Sequence, residues 1–136
     1  MREIKFRAWD KKNKEWLNPN TIGINLNGKG IAPDETWLEH DPSNIALMQF
    51  TGLHDKNGKE IWEGDIVKYK YGMKISDEEE EPGEVEEYIE PIIFQEGTFY
   101  PIPCGYYPDD YWYGYKYYDF KVIGNIYENP ELLEAL

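Results

Sequence analysis

Nucleophilic catalysis needs a serine or cysteine activated by a neighbouring base, and the one cysteine here, Cys104, lies between Pro103 and Gly105 with no motif around it. It reads as a bystander thiol. The two imidazoles, His40 and His54, stand in no metal-ligand spacing, and one cysteine cannot complete a zinc site with them. Asp55-Lys56-Asn57-Gly58 opens like a calcium loop. Its glycine falls at the wrong position, however, lysines interrupt the ligand positions, and the distal glutamate is missing. Neither a phosphate-binding loop nor a dinucleotide glycine fingerprint is present. Asp109 and Asp110 are adjacent, so in a strand their carboxylates would point to opposite faces, which defeats paired acid–base work. These residues predict no catalytic site, no metal and no cofactor, and hence a protein that is not an enzyme.

Charge and aromatic rings remain. There are 27 acids against 14 bases, a formal charge of −13. Phosphate recognition relies on clustered Lys and Arg, so direct nucleic-acid binding is disfavoured, as is attachment to an anionic membrane. Arg2, Lys5, Arg7, Lys11, Lys12 and Lys14 cluster near the N-terminus, and they read as a solvated strand face and turn. The segment from Met73 to Glu90 carries Asp77, Glu78, Glu79, Glu80 and Glu81, then Glu84, Glu86, Glu87 and Glu90. Like charges this dense repel one another, which predicts a mobile acidic loop inserted between strands. It also suggests an acidic decoy that imitates DNA and occupies a nucleic-acid-binding host protein. Between Pro101 and Tyr118 aromatic residues crowd a proline- and glycine-punctuated stretch. Tyr106, Tyr107, Tyr111, Trp112, Tyr113 and Tyr115 are the candidate partner surface, because tyrosine and tryptophan dominate binding hot spots. The competing reading places these rings over the core.

The elements that would position such a surface are mostly strands. With 136 residues, 40% hydrophobic and 16% aromatic, the chain can bury one real core. Ile4, Phe6 and Ala8 alternate with Lys5, Arg7 and Trp9, which predicts a first strand with the former facing inward. A turn at Asp10-Lys11-Lys12-Asn13, with Asn13 in the left-handed region, leads to a return strand at Trp16 and Leu17. Thr21–Leu26 followed by Asn27-Gly28-Lys29-Gly30 signals a hairpin. Ile45–Phe50 is a buried strand, and Asp55–Gly58 turns the chain back toward Glu60-Ile61-Trp62, repeating the chemistry of the first turn. Further strands follow at Ile66–Tyr71, Ile92–Phe94, Gly97–Tyr100 and Phe120–Tyr127. Asn129 caps a short terminal helix with Pro130 at its first position and Leu132, Leu133 and Leu136 as its apolar stripe. That helix would cover an open end or edge of the sheet. One cysteine permits no internal disulfide, no signal core follows Arg2 and Glu3, and no run reaches the roughly 18 apolar residues of a membrane span. The expected location is the cytoplasm.

Three blocks, taken together and in order, resemble the YopX family, small proteins of bacteriophages and prophages. They are Lys5-Phe6-Arg7-Ala8-Trp9-Asp10, the stretches Leu47–Leu53 and Gly58–Val67, and Val122-Ile123-Gly124-Asn125-Ile126-Tyr127-Glu128-Asn129-Pro130. The resemblance implies a small SH3-type barrel in the C-terminal part and supplies no catalytic residues. The resulting expectation is a mainly β protein. Residues 1–44 form an N-terminal β-hairpin region, and residues 45–136 form the barrel with an acidic insert at about 73–90 and the terminal helix. Its expected role is non-enzymatic contact with a host or phage protein inside the bacterial cytoplasm, with self-association as a further form of contact.

Overall fold

Strand β1 (Phe6–Asp10) lies between β2 (Glu15–Trp16) and a later strand, so both of its edges are paired. The computed structural model describes residues 3–20, 23–24, 30–31, 44–73, 85–101 and 115–134. Among these, Ala8 and Trp9 are both buried, whereas Ile4, which precedes the strand, is 60% exposed. The simple alternation therefore fails at both ends. Trp9 faces Trp16 across the ladder, their rings edge to face at 4.9 Å. The Arg7 guanidinium sits 4.5 Å from the Trp16 ring centre, and the Lys5 ammonium 4.7 Å from that of Phe50. These cations thus cover aromatic faces, a contact that desolvation strengthens.

The turn after β1 is built on a carboxylate. Asp10, 1% exposed, accepts from the backbone N–H of Lys12 and of Asn13 at 3.0 Å, and from Asn13 Nδ2 at 2.9 Å. Asn13 is held twice by that carboxylate, and the left-handed residue is Lys14, with φ of 54°, not Asn13 as the sequence suggested. Strands β3 (Gly23–Ile24) and β4 (Gly30–Ile31) pair antiparallel, as the glycine-rich hairpin signal required. Strand β5 (Ile45–His54) pairs with β1 in the register Ala8↔Leu47 and buries Met48 and Phe50. The chain divides into two compact units, Met1–Gly52 and Leu53–Leu136. The division falls inside β5, after Gly52, whereas the boundary expected from sequence lies at 44/45, just ahead of that strand.

In the second unit Asp55–Gly58 reverses the chain into β6 (Glu60–Trp62), with Gly58 at φ of 83°, a value that suits glycine. Strands β7 (Asp65–Met73), β8 (Val85–Pro91), β9 (Ile93–Gln95), β10 (Thr98–Tyr100) and β11 (Tyr115–Asn125) follow. Three of them form a sheet in the order β11-β7-β8, and β9 and β10 form a hairpin. The sheet curls into an SH3-type half-barrel around Ile61, Val67, Tyr69, Ile92, Phe120 and Val122. The acidic insert is shorter than expected. Residues 74–84 lie outside the described set, but 85–91 is a strand, because Lys68 and Lys70 stand opposite Ile89 and Glu87 and relieve the charge. Lys68 Nζ reaches Glu87 Oε1 at 3.0 Å.

The last strand begins at Tyr115, earlier than expected, and its register with β7 shifts between Tyr118 and Lys121 and again between Val122 and Gly124. The outer edge of β11 is covered at Phe120 and Val122 by the turn 55–58. Lys56 N–H donates to the Phe120 carbonyl at 2.8 Å, and Val122 N–H donates to Asp55 Oδ2 at 2.9 Å. The other oxygen of Asp55 accepts from the N–H groups of Asn57 and Lys59, each at 2.9 Å. The helical turn α1 (Glu131–Glu134) lies beside β8. Asn129 caps it through its carbonyl, which accepts from Leu132 N–H at 3.1 Å. Its side chain turns the other way, accepting from Asn125 N–H at 3.2 Å. Gly124 makes room for this, since a Cβ there would stand 2.6 Å from Asn129 Oδ1.

Burial is the largest influence on the Asp55 carboxyl and pushes its pKa up. The N–H groups of Val122, Lys59 and Asn57, with the Lys59 ammonium, outweigh it and hold the carboxyl below its ordinary 3.8. A carboxyl depressed in the folded state stabilises the fold at pH values above the unfolded value, and that contribution fades as acid reprotonates it. Asp55→Ala should therefore cost about 2–4 kcal/mol at pH 7, read by urea denaturation. The loss should shrink below pH 3.8.

Candidate functional site

Alternation along β7 and β8 gives the sheet two chemically different faces. Tyr69 stands opposite Tyr88, Tyr71 opposite Glu86 and Val67 opposite Glu90, and these share the inner face. Phe120, Tyr69 and Tyr88 form a stack that crosses all three strands. The Tyr69–Phe120 ring centres are 4.9 Å apart at 10°, and those of Tyr69–Tyr88 5.6 Å apart at 25°. Tyr69 is only 4% exposed, and its hydroxyl donates to Glu90 Oε2 at 2.6 Å. Tyr88 donates its hydroxyl to Glu86 in the same way.

Above this stack lies an open groove of about 560 Å³. Its floor is Tyr69, Tyr71 and Tyr88 of β7 and β8, with Glu90 and Pro91 at the end of β8. Ile93, Tyr100 and Pro101 of the β9–β10 hairpin form the other wall. Glu96 and Gly97 turn that hairpin with φ of 53° and 81°, the left-handed pair of a tight two-residue loop. Strand β9 of the hairpin exposes apolar area, with Ile93 44% and Phe94 54% exposed and Phe94 edge-on to Phe99 at 5.1 Å. The groove is therefore aromatic and prolyl, with the Glu90 carboxylate held in place by the Tyr69 phenol.

The outer face of the sheet is cationic in an acidic protein. Lys56, Lys68, Lys70 and Lys121 surround a hollow of about 290 Å³, together with Glu87, Asp119 and Ile123. Glu87 pairs with Lys68 at 3.0 Å and Asp119 with Lys70 at 3.8 Å. These side chains are roughly half exposed, so each pair contributes little to stability.

Of the residues singled out from sequence, Tyr106, Tyr107, Tyr111, Trp112 and Tyr113 lie outside the described residues, as do His40 and Cys104. Tyr115 opens β11 opposite Met73, and its side chain is likewise outside them. His54 ends β5 with an exposed side chain. The groove residues were not singled out. Tyr69 and Tyr71 show the one signal the sequence carried, two rings spaced by two within a strand; pairing with Tyr88, seventeen residues beyond Tyr71, depends on register. Among the described residues no group of His, Cys, Asp and Glu could hold a metal ion, and no helix is long and apolar enough to cross a membrane.

A family model described as YopX protein matches residues 5–134. No curated protein matches the chain. Among solved structures, the crystal structure of protein EF1440 from Enterococcus faecalis is similar over 98% of this chain and 99% of its own. The two share 28% identity and a TM-score of 0.57, and they have the same fold.

The Glu86 hydrogen bond, followed by burial and the charges of Glu86 and Glu90, raises the Tyr88 phenol above its ordinary 10.0. A phenol raised in the folded state favours folding below its unfolded pKa, and the contribution is lost as pH climbs through the folded one. In a tyrosine-ring-labelled NMR titration, Tyr88 should ionise at a pH above 10.0, and Glu86→Gln should bring that midpoint down.

Proposed function

The chain belongs to the YopX family, and we propose that it is a non-enzymatic protein-interaction protein, encoded by a phage or prophage and acting on a host or phage protein in the bacterial cytoplasm. The observation that carries this reading is the aromatic groove with its outward-facing hairpin. Tyrosine rings offer large contact area at low entropic cost, and Tyr71, Tyr88 and Tyr100 are partly exposed there. Ile93 adds to the groove wall apolar area that a solitary protein leaves in water. The Tyr106–Tyr115 segment, which follows Pro101 in the chain, is a second source of aromatic anchors. Self-association through either surface is a form of the same reading.

A second reading, an acidic decoy imitating DNA, is favoured by one observation. Glu86, Glu87 and Glu90 lie on an ordered strand, so part of the acidic run holds carboxylates at fixed spacing. Such a decoy would occupy a nucleic-acid-binding protein by presenting charge where phosphates would sit.

The two readings separate in one experiment, a tagged capture from bacterial lysate treated with nuclease. Ile93→Ser should abolish a specific complex while shifting the melting temperature by no more than about 2 °C, because Ile93 is half exposed. Tyr111→Ala with Trp112→Ala should do the same if the aromatic segment is the anchor, whereas a large fall in melting temperature would assign those rings to the core. Loss of a DNA-binding partner on Glu86→Gln with Glu90→Gln, but not on Ile93→Ser, would favour the decoy.

A further inference from the structure

The two edges of the three-stranded sheet are finished differently. On β11, Lys56 and Asp55 take up the outward carbonyl of Phe120 and the outward N–H of Val122. On β8, among the described residues, β7 is the one hydrogen-bonded neighbour, and no main-chain bond outside that ladder reaches residues 85–91. The helical turn α1 lies beside β8, but its Leu132 and Leu133 N–H groups donate to Asn129 and Pro130.

Register determines which groups of β8 point outward. The Ile92 N–H donates to the Asp65 carbonyl and the Ile92 carbonyl accepts from Gly64 N–H, each at 2.8 Å, so both face the β7 side. Pairing continues from there without a shift as far as Gly72↔Val85. An antiparallel strand alternates bonded and non-bonded positions, so Glu90, Tyr88 and Glu86 are bonded to β7. Glu87 and Ile89 therefore direct their N–H and carbonyl groups away from the sheet. Pro91 ends that row, since it has a carbonyl but no N–H.

Side chains decide which strand fits this edge. Glu86, Tyr88 and Glu90 share the inner face, with Glu86 engaged by the Tyr88 hydroxyl and Glu90 by that of Tyr69. On the outer face Glu87 is already paired with Lys68, and Ile89 is half-buried. A second copy pairing through the same edge about a two-fold axis is poorly matched. Centred on Glu87, it sets that residue against itself; centred on Tyr88, it sets Glu86 against Glu90. Centred on Ile89, it puts Pro91 at a bonding position opposite Glu87. Like charges directly opposed weaken a ladder, and opposite charges strengthen it. The carboxylates that deter a copy of this chain thus favour a basic strand.

We propose that the outer edge of β8 takes an extended basic segment of a partner protein as an additional strand. Glu87 and Ile89 supply the main-chain bonds, and lysine or arginine of the segment lies beside Glu86 and Glu90. Between those cations, β-branched apolar residues lie beside Ile89 on the other face. The inference rests on the protein-interaction reading and gives the partner a chemistry and a mode of contact.

The test uses the full chain, labelled with ¹⁵N, and the synthetic peptide Lys-Val-Arg-Val-Arg-Val-Lys with blocked ends, followed by NMR. The expected result is saturable shifts centred on β8, with slowed exchange of the Glu87 and Ile89 amides. In this register the valines face Glu87 and Ile89, so N-methylation of the valines should abolish binding. N-methylation of the lysines and arginines should leave it intact. Glu86→Gln with Glu90→Gln should weaken binding roughly tenfold, the loss of two cross-strand charge pairs. Ile89→Pro removes an outward N–H from an edge strand, which tolerates proline, and should abolish binding while the spectrum stays dispersed. If that variant unfolds, the N-methylated valine peptide makes the same test from the partner's side. Four results would overturn the proposal. They are no shifts at about 1 mM peptide, the limit of weak recognition; equal binding of the peptide N-methylated at valine, which would reduce the contact to charge attraction; equal binding of a peptide with glutamate in place of every lysine and arginine; and Glu87 and Ile89 amides already protected in the free chain. If the peptide fails while Ile93→Ser still abolishes capture of the cellular partner, the edge proposal falls and the protein-interaction reading stands. If the lysate also yields no specific partner, that reading falls with it.

Discussion

The edge of β11 is the constraint on which the second unit depends. A sheet edge exposes backbone N–H and carbonyl groups that would otherwise recruit another strand, and β11 has such an edge on the side away from β7. The turn 55–58 closes it, with a main-chain bond from Lys56 to Phe120 and a carboxylate bond from Asp55 to Val122. Asp55 serves two structures at once. One oxygen fixes its own turn, and the other reaches a strand 67 residues away in sequence. By holding Phe120 and Val122 in register, the turn places Phe120 where it stacks on Tyr69, and through Tyr69 on Tyr88. The floor of the groove therefore depends on a carboxylate at a turn on the other side of β11.

Carboxylates have two distinct uses in this acidic chain. Asp10, Asp55 and Asp65 are buried, and each accepts from backbone N–H at a turn, which holds the reversal. Glu86, Glu87 and Glu90 are on a strand and meet tyrosine hydroxyls or a lysine. The first group builds the fold, and the second gives the exposed surface its sign. The same alternation that sends Tyr69 and Tyr71 inward sends Lys68 and Lys70 outward, so one sheet has an anionic aromatic face and a lysine face.

Much of the strand pattern was legible along the chain because its signals are local. Period-two alternation marks β7, the Asn-Gly and Lys-Asn-Gly sequences mark reversals, and Asn129-Pro130 marks the start of the last helical turn. Local signals misled where a neighbour supplied the deciding interaction. Asn13 suits a left-handed turn position, yet Asp10 binds it and Lys14 takes the strained geometry. Glu84–Glu90 reads as a repelling run in isolation, but the lysines of β7 stand beside 85–91 and allow it to pair. Trp9 reads as outward-facing until the Trp16 ring packs edge to face against it.

By itself the sequence determined the composition-level facts: a mainly β chain, a net negative charge, turn positions, and three blocks that resemble the YopX family. Each depends on residues close in sequence or on sums over the chain. Only the tertiary structure decided which carboxylates are buried as turn ligands, which aromatic residues meet, and which face of the sheet holds the groove. Those outcomes depend on strand register, and register is set by pairings such as Tyr69 with Tyr88 and Val122 with Val67. A shift of one residue would exchange the faces and replace the tyrosines of the groove with lysines.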